Sequence, residues 1–441
     1  MLDVQLHEAR GRQILAALSG GADSVALLIL LCRARDAGML RVSAAHFDHM
    51  IRGAESQADV NFCQSLCERY GVPFALGRAD VPEIARRTGE GFESCARNLR
   101  HRFLQETASV MGANLIALGH HADDQAETVL MHLLRGAGPA GIVGMRRLSG
   151  NLYRPLIECR KADIVSFLEE IGETWREDST NRLADNPRNA LRLSALPALE
   201  KVYPGAAFAI ARYAKAAAVE DDFVARAADA FMQKRVEHLP NGHRIDLSGE
   251  PEEALLRRAL RRLCGPDLNT DKLRELLCLE TATDIGNGMR AQRHGAYLYV
   301  LRPYETPDAR MIDLAGVTCL HGICRLTSTD AAPMPERMSK TTQVLDREAL
   351  VGAVLRTRCT GDRIAPLGLG GSKSLSDYMT DAKIDPPLRD VTPVVARGNE
   401  ILWVIGHGIS RTCALQSKDR AAVRLTCETV SWGGIASCET T

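Results

Sequence analysis

Apolar and polar positions alternate with two different periods in the first third of the chain. Short apolar runs have the length of buried strands and lie at 13–18, 42–47, 74–77 and 114–118. Longer segments with apolar residues at helical spacing lie between and after them, at 25–31, 58–70, 96–110 and 123–134. Strands that alternate with helices build a parallel sheet covered on both faces, so the pattern predicts an α/β, Rossmann-like fold.

A different pattern begins with an Ala-rich stretch at 206–238, which contains neither glycine nor proline and is predicted to be a connecting helix. The remaining predicted features are helices at 252–264 and 271–280, a strand at 297–301, a Pro-rich linker at 331–336, and short β runs with Gly and Pro turns at 344–425. We therefore predict a catalytic domain at 1–215, followed by two small α+β domains at 216–330 and 341–433.

The polar segment after the first predicted strand has the sequence Ser-Gly-Gly-Ala-Asp-Ser and occupies 19–24. A strand, a glycine turn and a helix N-terminus in this order direct backbone N–H groups to one point, which makes a site for a polyphosphate. Asp23 or Ser24 is expected to cap the helix. A Walker loop is excluded, because it needs its own lysine and residues 1–150 contain none. The alternative is an ordinary glycine turn without a ligand.

A second polar segment follows the fourth predicted strand. Asp124 and Glu127 are three residues apart and share one helical face, so their carboxylates can together hold Mg²⁺ or an ammonium group. The alternative is that Asp123 caps the helix while the other two acids only suit its dipole. His120 and His121 are adjacent rather than four apart, which does not match a helical zinc site.

Three polar segments are expected to face one cleft with positive charge beside it. Segments 19–24, 46–52 and 119–127 each follow a strand, and open parallel sheets bind ligands beyond the carboxyl ends of their strands. Arg97 and Arg100 lie one helical turn apart and can neutralise a phosphate there. The alternative is that both arginines only solvate an exposed helix face.

Composition limits the classes of partner. Among 441 residues, 55 basic side chains balance 55 acidic ones, so any contact with nucleic acid has to be a local patch. Thirteen cysteines without a Cys-x-x-Cys pair favour reduced thiols. No apolar run is long enough to cross a bilayer and the first residues lack a signal-peptide pattern, so we expect a soluble, cytoplasmic protein without membrane partners. The pattern leaves the oligomeric state open.

Several segments together resemble one family, the tRNA-isoleucine lysidine synthetases of the N-type ATP pyrophosphatase, or PP-loop, group. The segments that carry the resemblance span nearly the whole chain and lie at 19–24, 46–52, 96–101, 119–128, 133–138, 178–181, 188–192 and 361–378. The glycine loop is common to the whole group, whereas the His-His-x-Asp-Asp-Gln run at 120–125, joined to the C-terminal segment, is far more specific. Three positions depart from the family pattern: Ile51 stands where Leu is common, Asp48 stands where Asn is frequent, and Pro187 precedes Arg188.

The resemblance implies a two-step ligase reaction at the wobble cytidine of the CAU anticodon of tRNA(Ile). ATP adenylates the base, and L-lysine then displaces AMP to form lysidine, which changes codon reading from AUG to AUA. The implied catalytic residues are Arg100, His120, Asp124, Glu127 and Arg192. The implied ATP contacts are Ser19, Gly20, Gly21, Ala22, Asp23, Ser24, His46, Asp48 and Arg52, and the implied Mg²⁺ ligands are Asp23 and Asp124.

Two other functions are compatible with parts of this pattern. A PP-loop tRNA thiolase activates a base by the same adenylation, but such enzymes often need paired cysteines, which this sequence lacks. A nucleotide-binding protein without catalysis would keep the loop alone. The two small domains are expected to hold tRNA. Four arginines of one predicted helix form either an RNA-binding stripe or a solvated face, and they are Arg257, Arg258, Arg261 and Arg262.

Overall fold

The computed structural model describes residues 2, 4–51, 53–176, 187–265, 282–331, 338–415 and 420–429. The chain divides into two compact units, Met1–Phe223 and Val224–Thr441. The finer division into three domains, with boundaries near 215 and 341, stays a prediction. None of the described helices has the length and apolar character that a bilayer-spanning helix needs.

One sheet forms the centre of the first unit. Its described strands are β1 Gln13–Ala17, β2 Arg41–Asp48, β3 Phe74–Arg78, β4 Leu115–Ala117, β5 Leu148–Ser149 and β6 Leu152–Tyr153. They lie in the order β3-β2-β1-β4-β6-β5, and all neighbours pair in parallel except β5, which pairs antiparallel with β6. The chain order reverses between β1 and β4, and ligands of such sheets bind at that switch point.

Helices connect these strands and extend the unit. They are α1 Ala22–Asp36, α2 Ala54–Arg69, α3 Val81–Thr88, α4 Phe92–Val110, α5 Ala122–Leu134, α6 Pro139–Ile142, α7 Lys161–Glu170, α8 Pro187–Ala190, α9 Leu196–Val202 and α10 Ala206–Arg235. A π-helical turn, Leu191–Ala195, joins α8 to α9. Helix α10 continues from the first unit into the second.

Each face of the sheet has its own core, because successive residues of a strand point to opposite faces. Ile14 and Ala16 of β1 belong to a cluster with α1, α2 and α7, which includes Leu28 and Phe167. Leu15 belongs to a second cluster with α4. Most of α1 is buried, because the sheet and α7 both pack on it. The predicted Rossmann-like fold, with helices on both faces of a parallel sheet, is confirmed.

Antiparallel strands dominate the second unit. Its first sheet consists of β7 Val236–Leu239, β8 Gly242–Asp246, β9 Thr283–Gly286, β10 Met289–His294 and β11 Tyr297–Leu301, in the order β7-β8-β11-β10-β9. Helix α11, Glu253–Cys264, packs Leu256 and Leu260 against this sheet. Two of its arginines have described ion-pair partners, Arg257 with Glu253 and Arg262 with Asp229, so the charges of these two members of the predicted arginine stripe are already compensated.

The rest of the second unit forms two further sheets. Their strands are β12 Arg310–Met311, β13 Val317–Leu320, β14 Cys324–Ala331, β15 Thr342–Asp346, β16 Val354–Arg356, β17 Arg363–Ile364, β18 Lys373–Ser374, β19 Val394–Arg397, β20 Glu400–Val404, β21 Gly408–Ile409 and β22 Ala422–Thr429. One sheet has the order β12-β16-β19-β20-β17-β18 with β21 beside β20, and the other has the order β13-β14-β22-β15. A cluster around the fully buried Trp403 joins residues of both sheets. Helix α12, Leu375–Asp381, follows β18.

Most predicted elements of the first unit are confirmed to within a few residues. The helix predicted at 206–238 is too long, because it ends at Arg235 and the next residues pair as β7. The helix predicted at 271–280 lies outside the described residues. The Pro-rich linker at 331–336 does too, apart from Ala331, which ends β14.

Candidate active site

The segment between β1 and α1, residues 19–24, forms a tight turn that we call the phosphate loop. Gly20 has a φ of 88°, which is strained for any side chain but glycine. Its carbonyl accepts a 2.9 Å hydrogen bond from the N–H of Arg176, which fixes the turn. Since α1 begins at Ala22, the N–H groups of its first turn have no helical carbonyl to bond and are available to an anion.

The hydroxyl groups of the phosphate loop hold the loop itself together. The predicted cap by Asp23 or Ser24 is wrong, because Gly21 is the N-cap residue of α1 and no described side chain caps this helix. Ser24 Oγ instead accepts from the N–H of Ser19 at 3.1 Å and donates to the carbonyl of Gly21 at 2.9 Å. Ser19 Oγ donates to Ser24 Oγ at 3.1 Å. These bonds turn Ser24 back into the loop, while Asp23 has a partner elsewhere.

The loop after β4 packs directly on the phosphate loop. A Cβ atom on Gly119 would lie 3.1 Å from the carbonyl carbon of Asp23 and 3.2 Å from the nitrogen of Ser24. Only glycine fits there without displacing backbone. The close approach brings the start of α5 against the phosphate loop at the switch point of the sheet.

A cavity of about 460 Å³ opens beside these two loops. Small-molecule sites commonly span about 300–1,000 Å³, so this volume suits a nucleotide-sized ligand. Predicted site residues that line it are Ser19, Asp23, Ser24, His46, Asp48, Arg100, His120 and Asp124. Gly20, Gly21 and Ala22 complete the phosphate loop, and Arg52 lies outside the described residues.

Two of the lining residues, His46 and Asp48, belong to β2 and are held by bonds to backbone groups of neighbouring segments. His46 Nδ1 lies 2.8 Å from the Leu18 carbonyl oxygen, and burial lowers the pKa of this imidazole. Asp48 accepts a 2.8 Å hydrogen bond from the N–H of Met50, and its other oxygen lies 3.6 Å from Arg78 Nε. These bonds fix the part of the cavity wall that His46 and Asp48 contribute.

Two carboxylates and two guanidinium groups form the most strongly charged part of the site, which we call the acid–arginine cluster. Glu127 is 1% exposed and accepts from Arg192 Nε at 2.5 Å and from Arg188 Nε at 2.8 Å. Asp124 accepts from Arg192 Nη2 at 2.9 Å. Charge-assisted bonds of this kind are the strong ones in proteins. Asp124 lines the cavity, whereas Glu127 and Arg192 are not among the described residues that line it.

Asp124 also shapes the start of α5. Its Oδ2 accepts from the N–H of His121 at 3.1 Å, and the His121 ring accepts from the N–H of Asp123, which makes a capping box. The cap is therefore His121, and the alternative in which Asp123 caps this helix is wrong. Burial would raise the pKa of the Asp124 carboxyl, but His121, His120 and Arg192 outweigh it and lower that pKa, so Asp124 is ionised.

The two adjacent histidines have opposite properties. Burial, aided by Arg154 and Arg100, lowers the pKa of His120 to about 4, so this ring is neutral at pH 7. Its Nδ1 is buried without a hydrogen-bond partner in the described structure, which leaves it available to a ligand. Burial also disfavours charge on His121, but the carboxylates of Asp123, Asp124 and Asp23 outweigh it and raise that pKa.

Sequence reasoning missed two cations of the site. Lys161, the first residue of α7, donates to both carboxylate oxygens of Asp23 at 2.7 and 2.8 Å, and no motif marks it. Arg188 had no chemistry visible from its spacing alone. Its distance of four residues from Arg192 was the available signal, because such residues share one helical face.

The donor atoms around the phosphate loop suit Mg²⁺. Asp23 Oδ1 and Asp124 Oδ2 lie 3.7 and 3.3 Å from the same atom, His121 Nε2. Magnesium is typically held by one or two carboxylates together with substrate phosphates, and this pair beside a phosphate site matches that pattern. Asp23 would first have to release Lys161.

Two families of domains match the chain. The PP-loop domain matches residues 2–199, which include the phosphate loop and α5. The family described as the TilS substrate C-terminal domain matches residues 353–427 in the second unit.

Curated relatives match along nearly the whole chain. The tRNA(Ile)-lysidine synthase of Geobacter sulfurreducens is 31% identical over 441 residues, covering 94% of this chain and 93% of that protein. The enzyme of the same name from Thermus thermophilus is 39% identical over 398 residues, covering 89% and 68%. That of Caldanaerobacter subterraneus is 29% identical over 419 residues, covering 90% of each.

Proposed function

The chain belongs to the tRNA(Ile)-lysidine synthase family, and we propose that its cavity adenylates the wobble cytidine of a CAU anticodon with ATP and then joins lysine to it. It is a tRNA-modifying ligase, and its products are lysidine in tRNA(Ile), AMP and pyrophosphate. The observation that carries the proposal is the acid–arginine cluster beside the phosphate loop. A nucleotide-binding protein without catalysis has no need of paired carboxylates held in this way.

The first step needs the outer phosphates held and the α-phosphorus left open. The N–H groups at the start of α1 bind the β- and γ-phosphates, as helix N-termini do for many anions. The oxygen of the cytosine ring attacks the α-phosphorus and pyrophosphate leaves. That oxygen is a weak nucleophile, so alignment and neutralisation of charge have to supply most of the rate gain.

Cations around the cavity supply that neutralisation. Arg100 lines the cavity, and no ion pair of this side chain with another described residue is found, so its charge is free for a phosphate. When bound to Asp23 and Asp124, Mg²⁺ would add positive charge at the leaving pyrophosphate.

The second step needs a lysine ammonium group recognised and an amine delivered to the activated base. Asp124 and Glu127 offer two carboxylates whose present partners, Arg188 and Arg192, are a third exposed and can move aside. The amine attacks the ring carbon that bears the adenylated oxygen, AMP leaves with that oxygen, and the new C–N bond is completed when the nitrogen releases a proton to solvent. The neutral His120 accepts a hydrogen bond from the substrate at its buried Nδ1 without adding charge.

The second unit holds the body of the tRNA while the wobble base enters the cavity. Unstacked anticodon bases can be read by side chains, whereas RNA helices are recognised by shape and backbone. Support comes from the match of 353–427 to the TilS substrate C-terminal domain and from the arginines of α11. The arginine stripe and the two tRNA-binding domains are part of this proposal.

The test is nucleoside analysis of tRNA(Ile) with a CAU anticodon after incubation with the protein, ATP and labelled lysine. We expect labelled lysidine, with pyrophosphate release that depends on the tRNA. A thiolase would release pyrophosphate but incorporate no lysine, and a nucleotide-binding protein without catalysis would release none. The methionine tRNA with the same anticodon serves as the control and should stay unlabelled.

A further inference from the structure

Lys161 links the phosphate loop to the start of α7. Its Nζ bonds to both oxygens of Asp23, at 2.7 and 2.8 Å, and Asp23 belongs to the first turn of α1. A second bond holds the backbone of Lys161 in place, because its N–H donates to Asp123 Oδ2 at 2.9 Å. The backbone of Lys161 is thus tied to one loop of the cavity and its ammonium group to the other.

The phosphate loop lacks a cation of its own. A Walker loop carries a lysine that contacts the outer phosphates, but residues 1–150 of this chain contain no lysine. Asp23 adds a negative charge where a polyphosphate has to bind. A cation from another segment is therefore needed, and Lys161 is already bonded to this loop.

The geometry also allows the ammonium group of Lys161 to change partners. The Lys161 side chain is 43% exposed and that of Asp23 is 27% exposed, so water reaches the pair. An exposed pair of this kind contributes little to stability, which makes its exchange cheap. The anchor at Asp123 involves the main chain of Lys161 and would survive the exchange.

We propose that Lys161 is a nucleotide-binding residue that exchanges Asp23 for the β- and γ-phosphates of ATP and stays with the pyrophosphate when the base is adenylated. This inference rests on the proposed function of the same cavity. The exchange breaks no covalent bond, and it frees Asp23 for Mg²⁺. Lys161 would then have the role of the Walker-loop lysine, although it lies in a segment far along the chain from the phosphate loop.

The experiment measures binding of ATP, AMP and pyrophosphate by calorimetry in the presence of Mg²⁺, on the full chain without tRNA. In the K161Q variant we expect about 10- to 100-fold weaker binding of ATP and pyrophosphate, with AMP affinity changed less than about threefold, because AMP lacks the outer phosphates. K161R should retain most of the affinity, since it keeps the charge. The matched control is K215Q, since Lys215 forms a similar exposed pair with Glu158, and this carboxylate, unlike Asp23, does not line the cavity.

A merely structural salt bridge gives a different pattern. If Lys161 only neutralises Asp23, the double variant D23N/K161Q regains pyrophosphate affinity, and that result overturns the proposal. Equal losses for ATP, AMP and pyrophosphate, or no loss at all, overturn it as well. The same wild-type preparation is assayed for lysidine, so pyrophosphate binding that depends on Lys161 without lysidine formation would reject the proposed function while supporting the role of Lys161.

Discussion

Each unit contains a buried carboxylate paired with arginine, and the two groups differ in how exposed the arginine side chains are. In the second unit, Arg356 binds Asp362 through two 2.8 Å hydrogen bonds, and the Asp362 side chain is 1% exposed. Arg356 also donates to the carbonyl groups of Thr357 and Gly398. Both terminal nitrogens of that guanidinium group donate to protein acceptors, so the charge of the pair is compensated without a ligand.

In the acid–arginine cluster the carboxylates are buried but the arginine side chains are partly exposed. Glu127 is as buried as Asp362, but its partners Arg188 and Arg192 are about a third exposed, whereas the Arg356 side chain is 10% exposed. A buried carboxylate with exposed cations can exchange them for another cation without being left uncompensated. The comparison teaches that the exposure of the partners, rather than the burial of the acid, separates a binding site from a structural ion pair.

The largest expected effect comes from removing the carboxylate of the buried Arg356–Asp362 pair. Asp362→Ala leaves the Arg356 charge buried without a counter-charge, and we expect a loss of about 3–5 kcal/mol in the free energy of unfolding of the second unit. Urea denaturation measures this loss. Replacing both residues, as in R356M/D362L, should restore much of the stability. An unchanged unfolding transition in Asp362→Ala would show that the pair is not the closed structural element described here.

Removing a carboxylate from the acid–arginine cluster should lower turnover rather than stability. Glu127→Gln removes one of two charges that hold the ammonium of lysine, and we expect kcat/KM for lysine to fall about 100-fold, or about 2.7 kcal/mol. Lysidine formation at low lysine concentration is the measurement. Glu158→Gln removes a carboxylate that pairs with Arg147 and Lys215 and does not line the cavity, and it is the control. Wild-type turnover by the Glu127 variant would remove this carboxylate from the mechanism.

The adjacent histidines should give the stability of the first unit opposite pH dependences. The folded pKa of His120 is about 4 and lies below the unfolded value of about 6.5, so unfolding takes up a proton between these values and stability falls as the pH drops. From pH 7 to 5 this amounts to about 2 kcal/mol, and His120→Gln should remove that loss.

His121 is the matched partner in this test, because its folded pKa is raised. It stabilises the fold below the unfolded pKa, and that contribution is lost as the pH rises through the folded pKa. His121→Asn keeps a residue that can cap α5 and should make the first unit more sensitive to acid. Urea denaturation at pH 5 and pH 7 measures both variants, and changes of the same sign would contradict the assigned environments.

A smaller effect is expected where the two loops of the site touch. Gly119→Ala places a Cβ atom 3.1 Å from the backbone of Asp23, which shifts the phosphate loop, and we expect about tenfold weaker ATP binding. Gly91→Ala is the control, since its Cβ would meet nothing within 4 Å. Equal ATP affinity in both variants would mean that the loop absorbs the contact.

The smallest effect concerns the arginine stripe of α11. Reversing charge in R258E/R261E should raise the KM for tRNA about three- to tenfold and leave ATP affinity unchanged, because phosphate contacts are electrostatic and independent of the nucleotide site. Arg86→Glu on helix α3 of the first unit is the control. The effect should shrink at higher salt. Unchanged tRNA dependence would leave the stripe as a solvated helix face.

Much of the first unit could be predicted, because its strands are continuous apolar runs with polar residues at their carboxyl ends. The rule that ligands bind beyond those ends correctly brought 19–24, 46–52 and 119–127 to one cavity. Strands β5 and β6 were missed, since two residues carry no periodic signal. Cap residues were also misassigned, because a carboxylate near a helix start can equally well bind a neighbouring side chain.

The contacts that set the charge of the site could not be predicted. Lys161 and Asp23 are 138 residues apart, and only the fold of α7 on α1 brings them together. The same holds for Glu127 and Arg192, which the family resemblance named without pairing them. Sequence patterns identify which residues carry chemistry, whereas their partners depend on long-range packing.

The π-helical turn Leu191–Ala195 restricts the number of residues that can lie between α8 and α9. A π turn contains one residue more per hydrogen-bonded ring than an α-helix, and it carries Arg192. Deleting one residue there would convert the π turn into an α-helical turn, which leaves the flanking helices in phase and shifts the side chains of the turn itself. The docking of α9 on α5 would then be kept while the guanidinium that reaches Glu127 is displaced, which ties the length of this short segment to the chemistry of the cavity.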